Sequence, residues 1–369
     1  MNRGMRFRIE PNKEQMILFE KTFGCCRFVY NRMLADRGLS ELTGERTKTT
    51  PASYKKEYPW LREVDSLALC NAQLELEAGF RNYRMRKDSG HPRYKSKHRS
   101  RQSYTTNVVN GNIRIEGNKI RLPRVGFVRV RVHRDIPEGW KLKSVTVSKE
   151  PSGKYYASLL YELPESENQA RGKDKAAEEE KRYLGIDFAM DGLAVMSDGM
   201  RAEYPKYFRQ AEGKLAREQR KLSHCQRGSR NYEKQKRKVA IVHEKVKNQR
   251  KDFLHKLSRR LADEYDVIGV EDIDMRAMSR SLNFGKSVMD NGFGMLRTML
   301  AYKLEEQGKE LVKVDRFFPS SKRCSVCGRI KDDLSLSDRI YRCSCGNCMD
   351  RDVNAAINIR MEIMRLKAS

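Results

Sequence analysis

The sequence predicts a multidomain α/β protein: a helical segment, then a hairpin-rich β-barrel, then a mixed sheet with helices on its faces. Three observations carry this. Between Tyr104 and Glu162, short apolar strands are separated by turn pairs such as Gly117-Asn118 and Ser152-Gly153, the pattern of successive hairpins. Beyond residue 182, short apolar runs alternate with long helical patterns, which calls for a sheet covered by helices. Residues 163–181, between the two blocks, are polar and nearly free of large apolar side chains, as a linker would be. At 369 residues the chain exceeds one average domain and has ample length for more than one core.

Residues 5–10 alternate apolar and polar side chains, the period of a half-buried strand. From Lys13 to about Arg37, Met16, Phe19, Phe23, Phe28, Tyr30 and Met33 recur at near-helical spacing, and Gly24 predicts a turn or kink among them. Trp60 to Met85 reads as a second helical stretch with Leu67, Leu69, Leu74, Leu76 and Phe80 on or near one face. Arg81 to Arg101 is a basic loop or frayed helix end. Tyr94 and Tyr104 interleave with its cations, as in a strip that tracks a phosphate backbone while rings stack on bases. The same composition describes a solvated charged face. Strands are expected at 113–115, 119–122, 125–132, 144–148 and 154–161.

After the linker, Tyr183 to Ala189, an Asp191-Gly192 turn and Leu193 to Ser197 form a hairpin, and Asp198-Gly199 leads to a third strand near 200–204. Tyr207 to Tyr265 gives two long helices parted near Arg227-Gly228-Ser229-Arg230. In the second, Val239, Val242, Val246, Phe253, Leu257 and Leu261 form an apolar stripe opposite a face crowded with Lys and Arg. A buried strand at 267–270, a helix at 289–307, a strand at 311–314 and a helix at 352–366 complete the series.

Seventy-six Lys and Arg against forty-nine Asp and Glu leave a formal charge of +27 and a pI near 9.8. Charge of that size, spread over most of the chain, suits a polyphosphate partner, with nucleic acid first. No apolar run reaches the length of about eighteen residues that a membrane span needs, and Met1 to Arg6 lacks the apolar core of a signal peptide. The expectation is an intracellular, cytoplasmic protein with no membrane partner. Nine cysteines are too few for a disulfide scaffold, and five of them fall within residues 324–348, as metal ligands in a reducing compartment would.

Cys324-Ser-Val-Cys327-Gly is a metal knuckle, followed by Cys343-Ser-Cys345-Gly. Four thiolates in two close pairs fill the tetrahedral shell of a structural Zn²⁺. Cys343 and Cys345 are separated by one intervening residue where two is usual, so Cys348 is held as reserve ligand. Cys25, Cys26, Cys70 and Cys225 read as small core hydrophobes. Three acids stand in apolar contexts: Asp187 mid-strand, Glu271 at a strand's end and Asp352 in a helix's first turn. Burying an unpaired carboxylate costs several kcal/mol, and a hard cation such as Mg²⁺ or Mn²⁺ offsets it. Two such cations about 4 Å apart activate a water and stabilise the leaving oxygen in phosphodiester cleavage. Asp191 and Asp198 read as turn residues, Asp350 as a helix N-cap, and Asp272 and Asp274 as capping acids.

The order Gly185-Ile-Asp187, Val270-Glu271-Asp272, the cysteine pairs, and Asp350-Arg-Asp352-Val-Asn354-Ala-Ala-Ile-Asn358-Ile closely resembles the insertion-sequence-encoded TnpB family, relatives of the type V CRISPR effectors. Phe23 to Asn31, Trp60 to Val64, Tyr94-Lys-Ser-Lys97, Leu122-Pro123, His243 to Val246, Asp252 to Leu257 and Phe318-Pro-Ser-Ser-Lys322 extend the likeness over almost the whole chain. The resemblance implies an RNA-guided DNA endonuclease acting beside a short adjacent motif. Its partners would be a guide RNA from the element's end and double-stranded target DNA, and its state a monomer with one RNA in a bacterial or archaeal cell, near the nucleoid. Asp187, Glu271 and Asp352 match that family's RuvC acids, which work with Mg²⁺.

By the same resemblance, residues 1–12 supply the first strand of a β-barrel wedge domain, 13–101 a helical recognition domain, 102–163 the barrel and 164–181 the linker. Residues 182–315 and 350–369 would form an RNase H-like (RuvC) nuclease domain, with a target-binding zinc ribbon inserted at 316–349. Ser66 and Cys70 fall at DNA-facing positions where some relatives carry longer polar side chains, which implies a different adjacent motif, and Tyr94, Tyr104 and Asn110 are further nucleic-acid candidates. The competing readings are a nuclease-inactive guided repressor and a transposase or its accessory protein.

Overall fold

The computed structural model describes residues 2–44, 49–86, 88–164, 181–189, 192–272, 291–335 and 338–368. It divides into two units, Met1–Asn168 and Gln169–Ser369. Most of the expected linker, together with Asp191 and Asp274, lies outside the described residues.

The first unit runs β1 (Asn2–Glu10), α1 (Lys13–Thr43), α2 (Pro51–Glu57), a 3-10 turn (Pro59–Glu63) and α3 (Ser66–Met85). It continues with β2 (Gln102–Asn107), β3 (Arg114–Glu116), β4 (Lys119–Leu122), β5 (Gly126–Arg131), β6 (Lys141–Lys149) and β7 (Tyr155–Glu162). The sheet order is β2-β6-β7-β1-β5-β4-β3. Every pairing in it is antiparallel, and the N-terminal strand is inserted between β7 and β5.

Helix α1 opens on a reciprocal cap between Asn12 and Gln15 and passes through Gly24 unbroken, against the expected kink. Glycine costs a helix about 1 kcal/mol relative to alanine. Burial of Phe19, Phe23, Val29 and Tyr30 along this helix outweighs it. The stretch from Trp60 divides instead at Asp65, whose carboxylate accepts from Leu67 N and caps α3. The buried stripe of α3 is Ala68, Leu69, Ala72, Leu76 and Phe80. Leu74, expected on or near that face, is 53 % exposed.

The second unit begins with β8 (Tyr183–Asp187), β9 (Leu193–Met196) and β10 (Arg201–Glu203), then α4 (Tyr207–Ser223) and α5 (Arg230–Glu264). There follow β11 (Val267–Glu271), α6 (Phe293–Glu305), β12 (Glu310–Val314), β13 (Ile340–Arg342), β14 (Cys348–Asp350) and α7 (Arg351–Ala368). A five-stranded sheet is ordered β10-β9-β8-β11-β12. Its β8, β11 and β12 are parallel, and the hairpin strands are antiparallel. One core holds Leu254, Leu257 and Leu261 of α5 and Leu296, Leu300 and Leu304 of α6 with Leu184, Ile186, Ile268 and Val270 of the strands.

Helix α7 packs through Ile359 and Ile363 against Val267 and Val314. It comes so close because glycines floor its seat. A Cβ on Gly185 would stand 2.0 Å from the Ala356 carbonyl oxygen, and one on Gly269 would stand 2.8 Å from Ile363 Cγ2. Gly185 and Gly269 are register partners in the parallel pair β8–β11.

Candidate metal centres

Side chains alternate along a strand, so Gly185 shares a face with Asp187 and Gly269 with Glu271. Ile186 pairs with Val270, so the step beyond the two glycines presents the two acids. The sequence reading set Asp187 mid-strand, whereas β8 ends on it. Both acids therefore stand at the carboxyl ends of adjacent parallel strands, where open α/β sheets hold ligands. Asp352, the second residue of α7, reaches the same region because the glycine seat brings that helix down onto the strands.

The electrostatics follow from this placement. Asp187 is 9 % exposed. Burial holds its carboxyl well above the usual range, the charges of Glu271 and Asp352 push the same way, and Arg351 opposes them. Glu271 is also raised by burial, partly countered by a short hydrogen bond that Ser320 Oγ donates to its Oε1. Arg351 lies 3.3 Å from Asp352 Oδ1. Asp350 has other work: its Oδ1 accepts from the backbone of Asp352 and Val353 at 3.0 and 3.1 Å, capping α7, and its Oδ2 pairs with Arg201 at 2.7 Å. Asp272 pairs with Arg297 and Lys313. A buried carboxylate whose proton affinity is raised by burial and by two acids beside it is chemically suited to a hard divalent cation.

The second centre is tighter. Sγ atoms of Cys324, Cys327, Cys343 and Cys345 all lie within 4.8 Å of one another, the one such group of ligand atoms among the described residues. Cys324–Cys345 and Cys327–Cys343 are each 3.6 Å apart. Sulfurs around one Zn²⁺ at about 2.3 Å stand roughly 3.8 Å apart, so the cluster has the size of a tetrahedral thiolate site. Cys343 and Cys345 sit in the tight turn between β13 and β14, and Cys348 lies in β14 opposite Arg342, outside the group. Burial pushes the Cys324 thiol up, but backbone N–H groups of Cys327 and Val326 and the Asn347 amide pull it down to about 6.

Two asparagines that the sequence reading left without a role join this cluster to α7. Asn354 Nδ2 donates to Arg323 O at 2.7 Å, and its Oδ1 accepts from Ser325 N at 3.0 Å. Asn358 Nδ2 donates to Ser320 O and Arg323 O at 2.8 and 2.6 Å. Both side chains are buried. Their spacing of four on an otherwise apolar helix face was a usable signal. Ser320 offered none, since its loop is rich in Ser and Lys.

In the first unit, Ser66 and Cys70 are exposed one turn apart on α3, Asn110 is exposed in a turn at φ 50°, and Tyr94 is 65 % exposed. Tyr104 differs from the expectation of a stacking ring. It is 5 % exposed, with its ring against Phe19 and Phe23, and burial raises its hydroxyl's pKa. Of the isolated cysteines, Cys25 and Cys26 are buried as expected, whereas Cys70 is exposed and Cys225 half-buried.

Family models match three stretches: a "Probable transposase" model over residues 158–282, a "Cas12f1-like, TNB domain" model over 293–359, and a helix-turn-helix model over 1–38. A protein of Streptomyces pristinaespiralis named "Putative RNA-guided DNA endonuclease" is 36 % identical over 97 % of this chain and 89 % of its own. InsQ of Escherichia coli, under the same description, is 30 % identical over 96 % of this chain and 90 % of its own. Among solved structures, a Cas12f1–sgRNA–target DNA complex superposes with a TM-score of 0.58 at 13 % identity, covering 98 % of both chains, a likeness of fold.

Proposed function

The chain belongs to the TnpB family of RNA-guided DNA endonucleases, and from that premise we propose that it cuts guide-matched DNA at the carboxylate site of its second unit. The observation that carries this reading is the placement of Asp187 and Glu271 at the ends of paired parallel strands, with Asp352 acting electrostatically on Asp187 from α7. Asp187, Glu271 and Asp352 would hold Mg²⁺ or Mn²⁺ through carboxylate oxygens. Bound there, the metal supplies Lewis acidity for phosphodiester hydrolysis. Arg351, beside Asp352, limits the negative charge that the site presents to a phosphate. Asp350, committed to the cap and to Arg201, stays out of the ligand set.

On this reading the second unit is a RuvC-like nuclease fold, and the four cysteines hold one structural Zn²⁺ in a ribbon against the start of α7. The first unit, with residues Ser66, Cys70, Tyr94 and Asn110 on its surface, contacts guide RNA and the duplex beside the target. Base pairing supplies the sequence specificity, and the protein supplies charge and shape.

The test is to purify the chain with RNA from its native locus, sequence the bound RNA and assay matched DNA with Mg²⁺. Asp187→Ala is expected to lower cleavage by at least about 100-fold, beyond what loss of an outer-shell partner costs, while DNA binding persists. An intact protein that carries its RNA and binds matched DNA but never cuts it would be a guided repressor, and the reading would fail.

A further inference from the structure

Ser320 is buried. Its Oγ donates to Glu271 Oε1. Its own carbonyl accepts from Asn358 Nδ2 at 2.8 Å, and its N–H donates to Phe318 O at 2.8 Å. The residue's backbone is held on both sides of its Cα, and its hydroxyl is turned to Glu271. Asn358 also grips Arg323 O, directly before Cys324, and Asn354 grips Arg323 O and Ser325 N on either side of it. The loop that orients Glu271 and the loop that begins the cysteine cluster are thus one segment, clasped by two asparagines of the helix that carries Asp352.

From this geometry we infer that Ser320 is a positioning residue for the carboxylate site. It engages one oxygen of Glu271 and leaves the other for the cation, and Asn358 sets Ser320 in place. A carboxylate ligand without such a partner rotates among orientations, only some of which face the ion, and outer-shell partners of ligands are typically worth 10–100-fold in metal affinity or activity. The inference rests on the proposed role of Glu271 as a metal ligand.

The experiment uses the RNA-loaded full-length protein with MnCl₂ and MgCl₂ as probes. Mn²⁺ binding is followed by the loss of free-ion electron paramagnetic resonance signal, and cleavage is followed as a function of Mg²⁺ concentration. Ser320→Ala is expected to weaken Mn²⁺ binding and to raise the half-saturating Mg²⁺ by about 10-fold or more, with cleavage recovered at high Mg²⁺ and matched-DNA binding unchanged. Ser320→Thr, which keeps the hydroxyl, is expected to restore both. Should Ser320→Ala not fold, the near-isosteric Ser320→Cys, a weaker donor, carries the same expectation. Unchanged Mn²⁺ binding and Mg²⁺ dependence in a folded variant that has lost the hydroxyl would overturn the inference. Asp187→Ala run alongside separates the two levels: if it still cuts, the site assignment fails, and if it is inactive while Ser320→Ala behaves as wild type, only the role of Ser320 fails.

Discussion

Asp187 carries a charge that the metal-free fold opposes. Its carboxyl binds a proton more tightly in the folded than in the unfolded chain, first through burial and then through Glu271 and Asp352. As pH rises above about 4, the unfolded state sheds its proton first. Stability is then lost through the window up to the folded-state value and stays lost above it. Asp187→Asn removes this contribution, so in EDTA the variant should melt higher than wild type at neutral pH, by roughly 1 kcal/mol, and its melting temperature should fall less as pH rises from 5. Mg²⁺ should stabilise wild type alone. Identical pH slopes in EDTA would refute the account. The sequence made this acid legible because an apolar run interrupted by one carboxylate needs an explanation. Gly185 in the same run was silent, since its reason is the backbone of a helix far along the chain. Tyr104 misled for the reverse reason: its ring is turned inward against Phe19 and Phe23, residues far from it in sequence.

Helix α7 shows how one element gathers what the chain scatters. It bears Asp352 in its first turn, the asparagine clasp on its second and third turns, and the isoleucines that seat it on the sheet. The clasp makes the cysteine cluster part of the support for Glu271 through Ser320. Cys324→Ser, or removal of zinc by a chelator, should therefore do more than loosen residues 322–348. Bound zinc, measured by elemental analysis, should fall below one per chain, and hydrogen exchange should rise at Ser320 and in the first turns of α7 as well as in the ribbon. Exchange confined to the ribbon would show that the clasp does not transmit. Periodicity located most of these elements, because burial of a stripe or a face is written in the spacing of apolar residues. It failed at Gly24 and Leu74, where tertiary packing decides against local propensity.

Across the whole molecule the formal charge of +27 sets a general affinity for polyphosphate on which any specific recognition is built. The long basic helix α5 contributes its exposed cations to that field. Binding of the RNA-free protein to an unmatched duplex should fall by about 10³-fold or more between 50 and 200 mM salt, read by fluorescence anisotropy. A shallow dependence would mean that most of these cations are solvated rather than apposed to phosphate. Composition made this legible from the start, while the pairing of acids across β8 and β11 required the register of a parallel sheet, which no local pattern encodes.

The glycine seat has a further consequence in time. Translation proceeds at about 5–20 residues per second, so Asp187 and Glu271 leave the ribosome seconds before the helix that brings Asp352. Until that helix is made, its seat over Gly185 and Gly269 has nothing to fill it, and Asp187 and Glu271 are without Asp352. On the proposed assignment, a chain made only as far as Glu271 lacks one carboxylate of its metal site, and the site is assembled when that helix docks on its glycine seat.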